Sequence, residues 1–536
     1  MFFYGCSLPL IMFHFYLILR YTRNIPSYDD YDVILRFISE FQTAPFSDKI
    51  FLLFAHHNEH IILLMRVIAL FSVYLFGGIN FVYLIIFGNI VLLSIALTTA
   101  EIYGKKGEWY LFLPLVVLVL NLNSYENIFW AMASIANFGV ILIVLLSLFF
   151  VSKDDRKSLL IGLSMALFAT FSLGNGLLVL FLGCAILFYK KSTFKRITVW
   201  VIASIVCLIF YYWDYKAVGH HPGIINTLIN DLDKMIIHFF IMLGNFASGW
   251  RLPLQIICGI LAFVVLSYSF YHHRRLNTSA LAFLSFLVLS CAAISLARGG
   301  FGIWWANTSR YMIYGNLIGF FLFLSAINTP LLIRFKFPLF LLLLLGSLGS
   351  YWMNFRRIDD IRYHTNKLEY SAASHHDVSK PEKAYYYPDQ DQAESILAGF
   401  NEHFHYEMPK YEYPIKGPSK KPYDVPSFDI KVDAVDTVNR TYNVKGYFII
   451  DSLEMHQVEA EFVISSSLDT VQYPTKKVFD FLRYESYGYK YGWGGFEVSI
   501  PKELINSDSS NIHFTISDSM SKRIIHSVEL EPLWLY

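Results

Sequence analysis

The sequence predicts a polytopic α-helical membrane protein followed by a soluble, β-rich C-terminal part. Of the 536 residues, 55% are hydrophobic and only 16% are charged, whereas about a quarter of the residues in soluble proteins are charged. Many apolar runs approach or exceed the ~18 residues that a helix needs to cross a bilayer. After about Phe428, short runs of alternating polarity separated by turn residues replace these long runs, as is typical of antiparallel strands.

Polarity divides the chain into three parts. Residues 1–355 are the membrane body, residues 356–425 a linker with a short helix at 390–404, and residues 426–536 an extracytoplasmic β-sandwich. About eleven transmembrane helices are predicted, at residues 6–21, 79–100, 109–121, 131–151, 158–172, 175–189, 197–213, 253–271, 278–297, 311–327 and 337–353. The predicted strands are the runs FDIKVDAV, TYNVKGYFII, VEAEFVISSS, GGFEVSIP, NIHFTISD and SVELEPLWLY.

Basic loops predict the orientation in the membrane, because Lys and Arg are enriched in short cytoplasmic loops. Five such loops fall on one side if the apolar runs 61–76 and 235–250 lie at the interface without crossing. The loops are YGKKGE (103–108), SKDDRK (152–157), YKKSTFKR (189–196), HHRR (272–275) and IRFK (333–336). Arg20 and Arg23 oppose this orientation, since they follow the first span on the outer side, but the five loops outnumber them.

With this orientation, the C-terminal part and four polar segments lie on the extracytoplasmic face. The segments are the long loop 22–78, NLNSYENIFW (121–130), LGNG (173–176) and LARGGFGIWWANTSRY (296–311). Acidic groups near the start of the membrane body and arginines near its end therefore share one membrane surface. An active site at a lipid–water boundary can be assembled in this way.

Several classes of function lack support in the sequence. The net charge of +1 and the absence of a basic stripe argue against a nucleic-acid partner. No P-loop, GxSxG or GxGxxG occurs in the required strand–helix setting, so nucleotide-driven and serine-hydrolase chemistry are not supported. All five cysteines lie in apolar segments, which indicates small buried side chains rather than a disulfide framework or a CxxC metal site.

The acidic stretch SYDDYD (27–32) follows the first span. A carboxylate at the edge of a low-dielectric bundle can act as a general base, because partial desolvation raises its pKa toward the working pH. Asp29 and Asp30 are the candidates for this role. A solvated acidic turn at a helix N-terminus, in which Asp32 pairs with Arg36, is the structural alternative. Glu126 is a further catalytic candidate or else a solvated loop residue.

The cluster AHHNEH (55–60) ends the polar part of the long first loop, at the edge of an apolar run. Unpaired, these groups would be costly to carry into lipid. The favoured interpretation is a hydrogen-bonding cluster in which Asn58, Glu59 and His60 position a hydroxylated substrate or orient the aspartates. His57 is a further candidate substrate-binding residue, with Asn58 and His60. A plain polar cap is the alternative, as is a metal site in which a helix would bring two histidines four residues apart onto one face.

Arg298 and Arg310 flank a loop rich in Gly and Trp. Arginine suits phosphate because its planar guanidinium donates bidentate hydrogen bonds and keeps its charge. Trp304 and Trp305 can stack on a sugar or lie in the headgroup layer. Ordinary interfacial arginines whose side chains extend toward water are the alternative.

The C-terminal part carries one aromatic-rich run, YESYGYKYGWGGF (484–496). Aromatic faces stack on sugar rings, so Tyr489, Tyr491 and Trp493 are candidate glycan-binding residues. Packing of this run against the membrane body is the alternative.

Five of these motifs, in this order, resemble bacterial members of the GT-C superfamily of integral-membrane glycosyltransferases, over about residues 1–350. They are DDYD (29–32), HNEH (57–60), ENIFW (126–130), LGNGL (173–177) and RGGFG…SRY (298–311). Within this superfamily, the chain resembles serotype-converting glucosyltransferases that modify O-antigen. The chain departs from the family pattern at His56, Ile61 and Tyr31, where Gln, Arg and Trp are usual.

The resemblance implies a role for each matching residue. Asp29 or Asp30 would be the general base, Glu59 with His57 and His60 would complete the wall of the site, and Glu126 would match the acidic residue of the second loop. Arg298 and Arg310 would hold the leaving phosphate. Because Ile61 replaces the usual Arg, Arg66 farther along the run becomes a further candidate for the phosphate.

The resemblance also implies the reaction and its place in the cell. A sugar, glucose in the serotype-converting enzymes, would pass with inversion from undecaprenyl-phosphate-sugar to a periplasmic glycan such as lipid-linked O-antigen. The enzyme would lie in the bacterial inner membrane, with its site and β-sandwich in the periplasm. Metal dependence varies in the superfamily, so a divalent cation (Mg²⁺ or Mn²⁺) stays open and no metal ligand is assigned.

Three other functions are compatible with a polytopic chain. An O-antigen polymerase or ligase would need outer-face arginines but has less need of acidic residues near the first span. A transporter of lipid-linked sugars would show inverted repeats and charges near the bilayer midplane. A membrane-anchored binding module would need fewer spans than the eleven predicted.

Overall fold

The computed structural model describes most of the chain. The described residues are 2–105, 107–215, 224–271, 277–328, 332–376, 385–387, 389–411, 428–438, 441–450, 458–465, 470–478, 495–501, 511–518 and 524–530. They belong to two compact units. The first, here called the membrane unit, comprises Met1–Arg357 and Tyr386–Met408, and the second, the C-terminal unit, comprises Ile358–Tyr385 and Pro409–Tyr536.

The membrane unit is built from α-helices. In its first half these are α1 (Phe2–Tyr21), α2 (Phe37–Thr43), α3 (Phe46–Phe54), α4 (Leu63–Phe76), α5 (Phe81–Tyr103), α6 (Leu113–Val119), α7 (Tyr125–Phe129), α8 (Ala131–Ala133), α9 (Gly139–Val151) and α10 (Arg156–Thr170). In its second half they are α11 (Leu178–Tyr189), α12 (Phe194–Tyr212), α13 (Ile224–Asn230), α14 (Leu232–Leu243), α15 (Leu252–Tyr271), α16 (Thr278–Arg298), α17 (Met312–Ile327), α18 (Lys336–Asn354) and α20 (Gln390–Asn401). Helix α19 (Arg357–His376) comes between α18 and α20 in the chain and belongs, except for its first residue, to the C-terminal unit.

Seven helical segments in the described residues are long and apolar enough to cross a membrane, which makes the chain a helical membrane protein. They are Phe81–Tyr103, Trp109–Phe129, Ala131–Val151, Phe194–Tyr212, Thr278–Phe301, Ser309–Ile327 and Ile333–Asn354. The prediction of eleven spans is therefore not matched. Three of the other predicted spans correspond to shorter apolar helices, Ser7–Tyr21, Gly174–Tyr189 and Leu252–Tyr268. The fourth, predicted at 158–172, corresponds to α10, which has 15 residues.

Two runs predicted to lie at the interface are also helical. The run 61–76 contains α4, whose 14 residues extend over about 21 Å at 1.5 Å per residue, short of the ~30 Å hydrocarbon layer. The run 235–250 contains all but the first three residues of the 12-residue helix α14 and a short 3₁₀ turn, Asn245–Ala247. Both are too short to cross a bilayer as straight helices.

Buried asparagines satisfy the backbone where the segment Trp109–Phe129 is interrupted. The α-helical part ends at Val119, and a 3₁₀ turn, Leu122–Ser124, follows. Asn316 of α17 donates to the Leu118 carbonyl at 3.0 Å and exchanges hydrogen bonds with Asn123. Non-helical backbone is tolerated at membrane depth when protein groups pair it in this way.

The C-terminal unit contains eight strands in its described residues, in addition to helix α19 (Arg357–His376). Numbered after the two-residue strands β1 (His56–His57) and β2 (His60–Ile61) of the membrane unit, they are β3 (Phe428–Val438), β4 (Thr441–Ile450), β5 (Val458–Ser465), β6 (Thr470–Pro474), β7 (Lys476–Val478), β8 (Gly495–Pro501), β9 (Asn511–Asp518) and β10 (Ile524–Leu530).

These strands form two four-stranded antiparallel sheets, in the orders β10-β9-β5-β6 and β3-β4-β8-β7. Phe496 of one sheet lies 5.8 Å from Phe462 and 4.9 Å from Phe514 of the other, measured between ring centroids. All three phenylalanines are buried. Each of the six predicted runs contains a strand, although β10 begins three residues before its predicted run, and the short strands β6 and β7 were not predicted.

The predicted linker 356–425 needs a correction. Its first part forms the 20-residue helix α19, and Tyr386–Met408 belongs to the membrane unit. The predicted helix at 390–404 is present as α20, and it buries one face. The buried side chains of that face are Ala393, Ile396, Leu397 and Phe400.

Candidate active site

Acidic and basic side chains from distant parts of the sequence meet in the membrane unit. His57 Nε2 lies 3.8 Å from Asp29 Oδ2, and Arg298 Nη2 lies 3.1 Å from Glu59 Oε2. Arg310 Nε lies 3.6 Å from Glu126 Oε2. The segments predicted to share one face, 22–78, 121–130 and 296–311, therefore contribute to these ion pairs: 296–311 pairs with both of the others.

The two adjacent aspartates have different surroundings. Asp29 is partly exposed and faces His57. Asp30 is buried and accepts hydrogen bonds from the Met132 N–H at 3.0 Å and from the N–H and hydroxyl of Ser27 at 3.2 and 3.3 Å. Burial raises the pKa of Asp30 to about 7, although these donors oppose the shift. Asp30 therefore fastens the first loop to α8, whereas Asp29 can meet a ligand.

The local backbone around the acidic stretch is unusual. A π-helical turn, Tyr31–Arg36, follows Asp30, and such turns often occur at functional sites. Within it, Arg36 pairs with Asp32 at 2.9 Å, which confirms the predicted structural pairing. Tyr28 has a φ of +48°, a left-handed conformation that costs a bulky residue on the order of 1–3 kcal/mol.

The HHNEH segment forms a tight hairpin rather than a helix. His56 pairs with Ile61 and His57 with His60 across the strands β1 and β2, and Asn58 at the turn has a φ of +51°. Successive side chains on a strand point to opposite sides. His57 contacts Asp29, whereas the ring of His56 lies 5.5 Å from that of Tyr211. The helical metal site considered for His56 and His60 is therefore wrong.

The Glu59–Arg298 pair is the tighter of the two Glu–Arg pairs. Each side chain is less than a fifth exposed, and the contact is a hydrogen bond. His60 Nε2 lies 3.6 Å from the same Glu59 oxygen, and burial lowers the pKa of His60. Because Glu59 already neutralises Arg298, this arginine is less available to an incoming anion.

The Glu126–Arg310 pair is looser and more exposed. At 3.6 Å the two atoms are beyond hydrogen-bond distance, and each side chain is about a third exposed. The Arg310 guanidinium lies 5.7 Å from the ring centroid of Trp130. Of the two arginines, Arg310 is therefore the better placed to change partner and bind a phosphate.

Arg66 does not match its predicted role. It is buried, and its Nη1 donates to the carbonyls of Leu53 and Ala55. Its guanidinium also lies 5.3 Å from the ring centroid of Phe37. The side chain thus supports the backbone that leads into the hairpin and is already engaged by protein groups.

The LGNG turn packs directly against the hairpin. A Cβ atom at Gly174 would overlap the imidazole of His60, so only glycine leaves room for that ring. Asn175 Nδ2 donates to the Tyr314 hydroxyl at 2.7 Å and to Ser290 Oγ at 3.2 Å. The fourth predicted segment therefore borders the same site.

Two predicted aromatic residues lie at the surface of the membrane unit. Trp304 and Trp305 are exposed, and Trp305 packs on Phe301 with 5.0 Å between ring centroids. Gly302 permits this turn because its φ is +112°. Tyr489, Tyr491 and Trp493 lie outside the described residues, as does most of the run that contains them.

One part of the site was not predicted from the sequence. Tyr386 and Tyr387, from the predicted linker, reach the first loop: the Tyr386 hydroxyl is 2.7 Å from that of Tyr28, and the Tyr387 hydroxyl donates to Asp32 at 2.7 Å. The usable signal was the apolar spacing of α20 just after these tyrosines, since one buried face indicates a docked helix rather than a free linker.

No group of three or more His, Cys, Asp or Glu side chains suited to a metal ion occurs within the described residues. Comparisons of the chain with protein-family models, curated proteins and solved structures gave no match.

Proposed function

We propose that the chain is a GT-C-type glycosyltransferase that moves a sugar, glucose in the first instance, from undecaprenyl-phosphate-sugar to a periplasmic glycan such as lipid-linked O-antigen. The observation that carries the proposal is the Asp29–His57 pair beside Tyr28, whose ring contacts Trp130, while Arg310 lies over Trp130 and pairs with Glu126, in a helical membrane protein. A base, an anion-binding cation and a bilayer for the lipid tail are the components that this reaction needs.

The residues suit a single displacement. Asp29 takes the proton of the acceptor hydroxyl as its oxygen attacks the anomeric carbon of the donor. The bond from that carbon to the phosphate oxygen breaks, and the phosphate leaves with the electron pair. Arg310 stabilises the charge that develops on the phosphate. One displacement of this kind inverts the configuration at the anomeric carbon.

Other residues hold this arrangement in place. Asp30 fixes the loop that presents Asp29, and the Glu59–Arg298 pair fixes the hairpin that presents His57. Their closeness to the reacting groups supports the same proposal, because active sites depend on side chains whose positions are locked by neighbouring contacts.

We also propose the finer arrangement expected from the sequence. The shorter apolar helices would bring the number of spans toward eleven, the site would face the periplasm, and the two sheets of the C-terminal unit would pack as a β-sandwich. The aromatic contacts of Phe496 with Phe462 and Phe514 support the last point. The basic loops support the orientation in a bacterial inner membrane.

The test is a transfer assay with radiolabelled undecaprenyl-phosphate glucose and lipid-linked O-antigen in right-side-out and inverted membrane vesicles. The proposal predicts transfer that depends on the chain and needs access from the periplasmic face. Transfer of whole repeating units instead of single glucose residues would indicate a polymerase or ligase. The absence of transfer with glucose and with a panel of other lipid-linked sugars would reject the proposal.

A further inference from the structure

Three aromatic rings cluster beside the acidic groups, and none belongs to the site predicted from the sequence. The ring centroid of Tyr28 lies 5.4 Å from that of Trp130 and 4.5 Å from that of Tyr386. The ring planes are tilted by 55° and 46°, respectively. The three residues come from the first loop, the second loop and the segment after α19.

The protein holds Tyr28 in place before any ligand arrives. The Tyr28 N–H donates to the Tyr386 carbonyl at 2.8 Å, and the two hydroxyls are 2.7 Å apart. These contacts stabilise the left-handed backbone at Tyr28, where φ is +48°. Strained backbone of this kind concentrates at ligand sites, and a ring that is fixed in advance binds without the entropic cost of ordering it.

Tyr28 is nevertheless open to a ligand. It is 39% exposed, although Tyr386 and Trp130 contact it. Its exposed ring, held in position by these contacts, provides apolar area close to the charged groups of the site.

The charged neighbours define which ligand fits. Arg310 lies over the ring of Trp130, Glu126 pairs with Arg310, and Asp29 follows Tyr28 in the chain. A pyranose ring has an apolar C–H face and hydroxyls around its edge. Aromatic rings match the face, whereas carboxylates and a guanidinium match the hydroxyls.

We propose that Tyr28, Trp130 and Tyr386 form a subsite that stacks on a hexopyranose ring next to the Asp29–His57 pair. This inference rests on the proposed function and adds to it the residues that bind the sugar. The ring is either the sugar of the lipid-phosphate donor or a residue of the acceptor glycan, and both have the same face and hydroxyls.

The test measures binding to the full chain in lipid nanodiscs, without catalysis. One probe is a printed array of bacterial surface oligosaccharides, and the other is decyl-phosphate-linked glucose, a short-chain donor analogue. Tyr28→Leu and Tyr386→Leu each remove one ring, whereas Tyr28→Phe keeps the ring and loses only the hydroxyl. Tyr74→Leu is the matched control, because Tyr74 is an exposed tyrosine whose hydroxyl donates to Gln42 and whose ring contacts Phe404.

We expect both leucine variants to weaken binding of one probe at least tenfold, and Tyr28→Phe and Tyr74→Leu to stay within threefold of wild type. The probe whose binding is weakened shows whether the stacked sugar belongs to the acceptor glycan or to the donor. Unchanged binding in the leucine variants would overturn the subsite, and so would wild-type binding of neither probe. A loss in Tyr28→Phe equal to that in Tyr28→Leu would show that the hydroxyl contact, not the ring, matters, and would also overturn it.

The outcomes separate this inference from the proposed function. A wild-type protein that binds oligosaccharides through Tyr28 but transfers no sugar keeps the subsite and rejects the transferase. Transfer by the wild type together with unchanged binding in the leucine variants keeps the transferase and rejects the subsite. Thermal unfolding of each variant identifies a folding defect, and the two leucine variants provide independent tests if one of them fails to fold.

Discussion

At the scale of single residues, the adjacent Asp29 and Asp30 carboxyls differ in burial and in hydrogen bonding. The Asp30 carboxyl accepts three hydrogen bonds from Ser27 and Met132 and is buried. Asp29, one position earlier, is partly exposed beside His57. Composition and spacing predicted an acidic pair here. Which of the two is the candidate base depends on which carboxyl is bound by the N-terminus of α8 and which stays exposed. That contact joins residues 102 positions apart and is not visible in the local sequence.

The raised pKa of Asp30 predicts a pH dependence of stability. Between pH 4 and 7 the folded state keeps the proton of Asp30, with a pKa of about 7, whereas the unfolded chain, near 3.8, has lost it. The free energy of unfolding therefore falls as the pH rises through this window and levels off above about 7. The contribution is at most about 4 kcal/mol, from 1.36 kcal/mol for each pKa unit.

Thermal unfolding of detergent-solubilised protein at several pH values checks this prediction. Asp30→Asn should remove much of the decline of Tm between pH 4 and 7, whereas Asp48→Asn, at an exposed position of α3, should keep it. Equal slopes in wild type and Asp30→Asn would show that Asp30 does not titrate in this range.

Removing the glutamate charge from each of the two Glu–Arg pairs should lower the free energy of unfolding by different amounts. Glu59→Gln leaves Arg298 without its negative partner at a site less than a fifth exposed, so we expect a loss of about 1–3 kcal/mol in stability. Glu126→Gln acts on a looser and more exposed pair and should cost less than about 1 kcal/mol. Unfolding measurements on the two variants compare these losses, and a double-mutant cycle of Glu59→Gln with Arg298→Gln measures the coupling within the tighter pair. Equal costs would contradict the distinction between the pairs.

At the scale of secondary-structure elements, the hairpin and the LGNG turn form one packed unit. Ile61 and Leu63 form a buried cluster with Tyr211, and Phe54 and Phe171 pack against it. The Leu63 N–H also donates to the Phe171 carbonyl at 2.8 Å. Apolar contacts on one side thus hold a hairpin whose other side carries His57 and Glu59.

Gly176 of the LGNG turn and Gly399 of α20 should respond in opposite ways to substitution by alanine. A Cβ at Gly176 would overlap the backbone carbonyl of Ala169, whereas a Cβ at Gly399 in α20 has no neighbour within 4 Å. Gly176→Ala should therefore destabilise the protein by about 1–3 kcal/mol, because backbone must move. Gly399→Ala should stabilise it by up to about 1 kcal/mol, as expected in a helix interior. Thermal unfolding measures both, and a harmless Gly176→Ala would contradict the packing of the turn.

The sequence located most elements and misjudged their extent. Each predicted span coincides with helical structure, since apolar runs of this length are visible without tertiary information. Some helices are shorter than predicted because they are interrupted, as after Val119. The interruption is stable there because the buried Asn316 side chain donates to the Leu118 carbonyl. The metal-site alternative assumed a helix at His56–His60, because spacing alone does not reveal the hairpin or the left-handed turn at Asn58.

At the scale of the whole membrane unit, the site is assembled from contacts that span most of the chain. Glu59 and Arg298 are 239 positions apart, and Tyr28 and Tyr386 are 358 positions apart. The charge rule for loops predicted a common face for the residues of both pairs. It could not predict the contact of Tyr386 with Tyr28, because the segment after α19 carries no membrane signal and joins the unit through the buried face of α20.

The central claim is that Asp29 takes the acceptor proton in a transfer reaction at this site. The most direct test is the single-turnover rate of glucose transfer by purified Asp29→Asn, with Asp48→Asn from the same first loop as the matched control. We predict that Asp29→Asn lowers the rate at least about 100-fold, the usual contribution of a general base, with Tm and donor binding unchanged. A rate within a few-fold of wild type would contradict the claim.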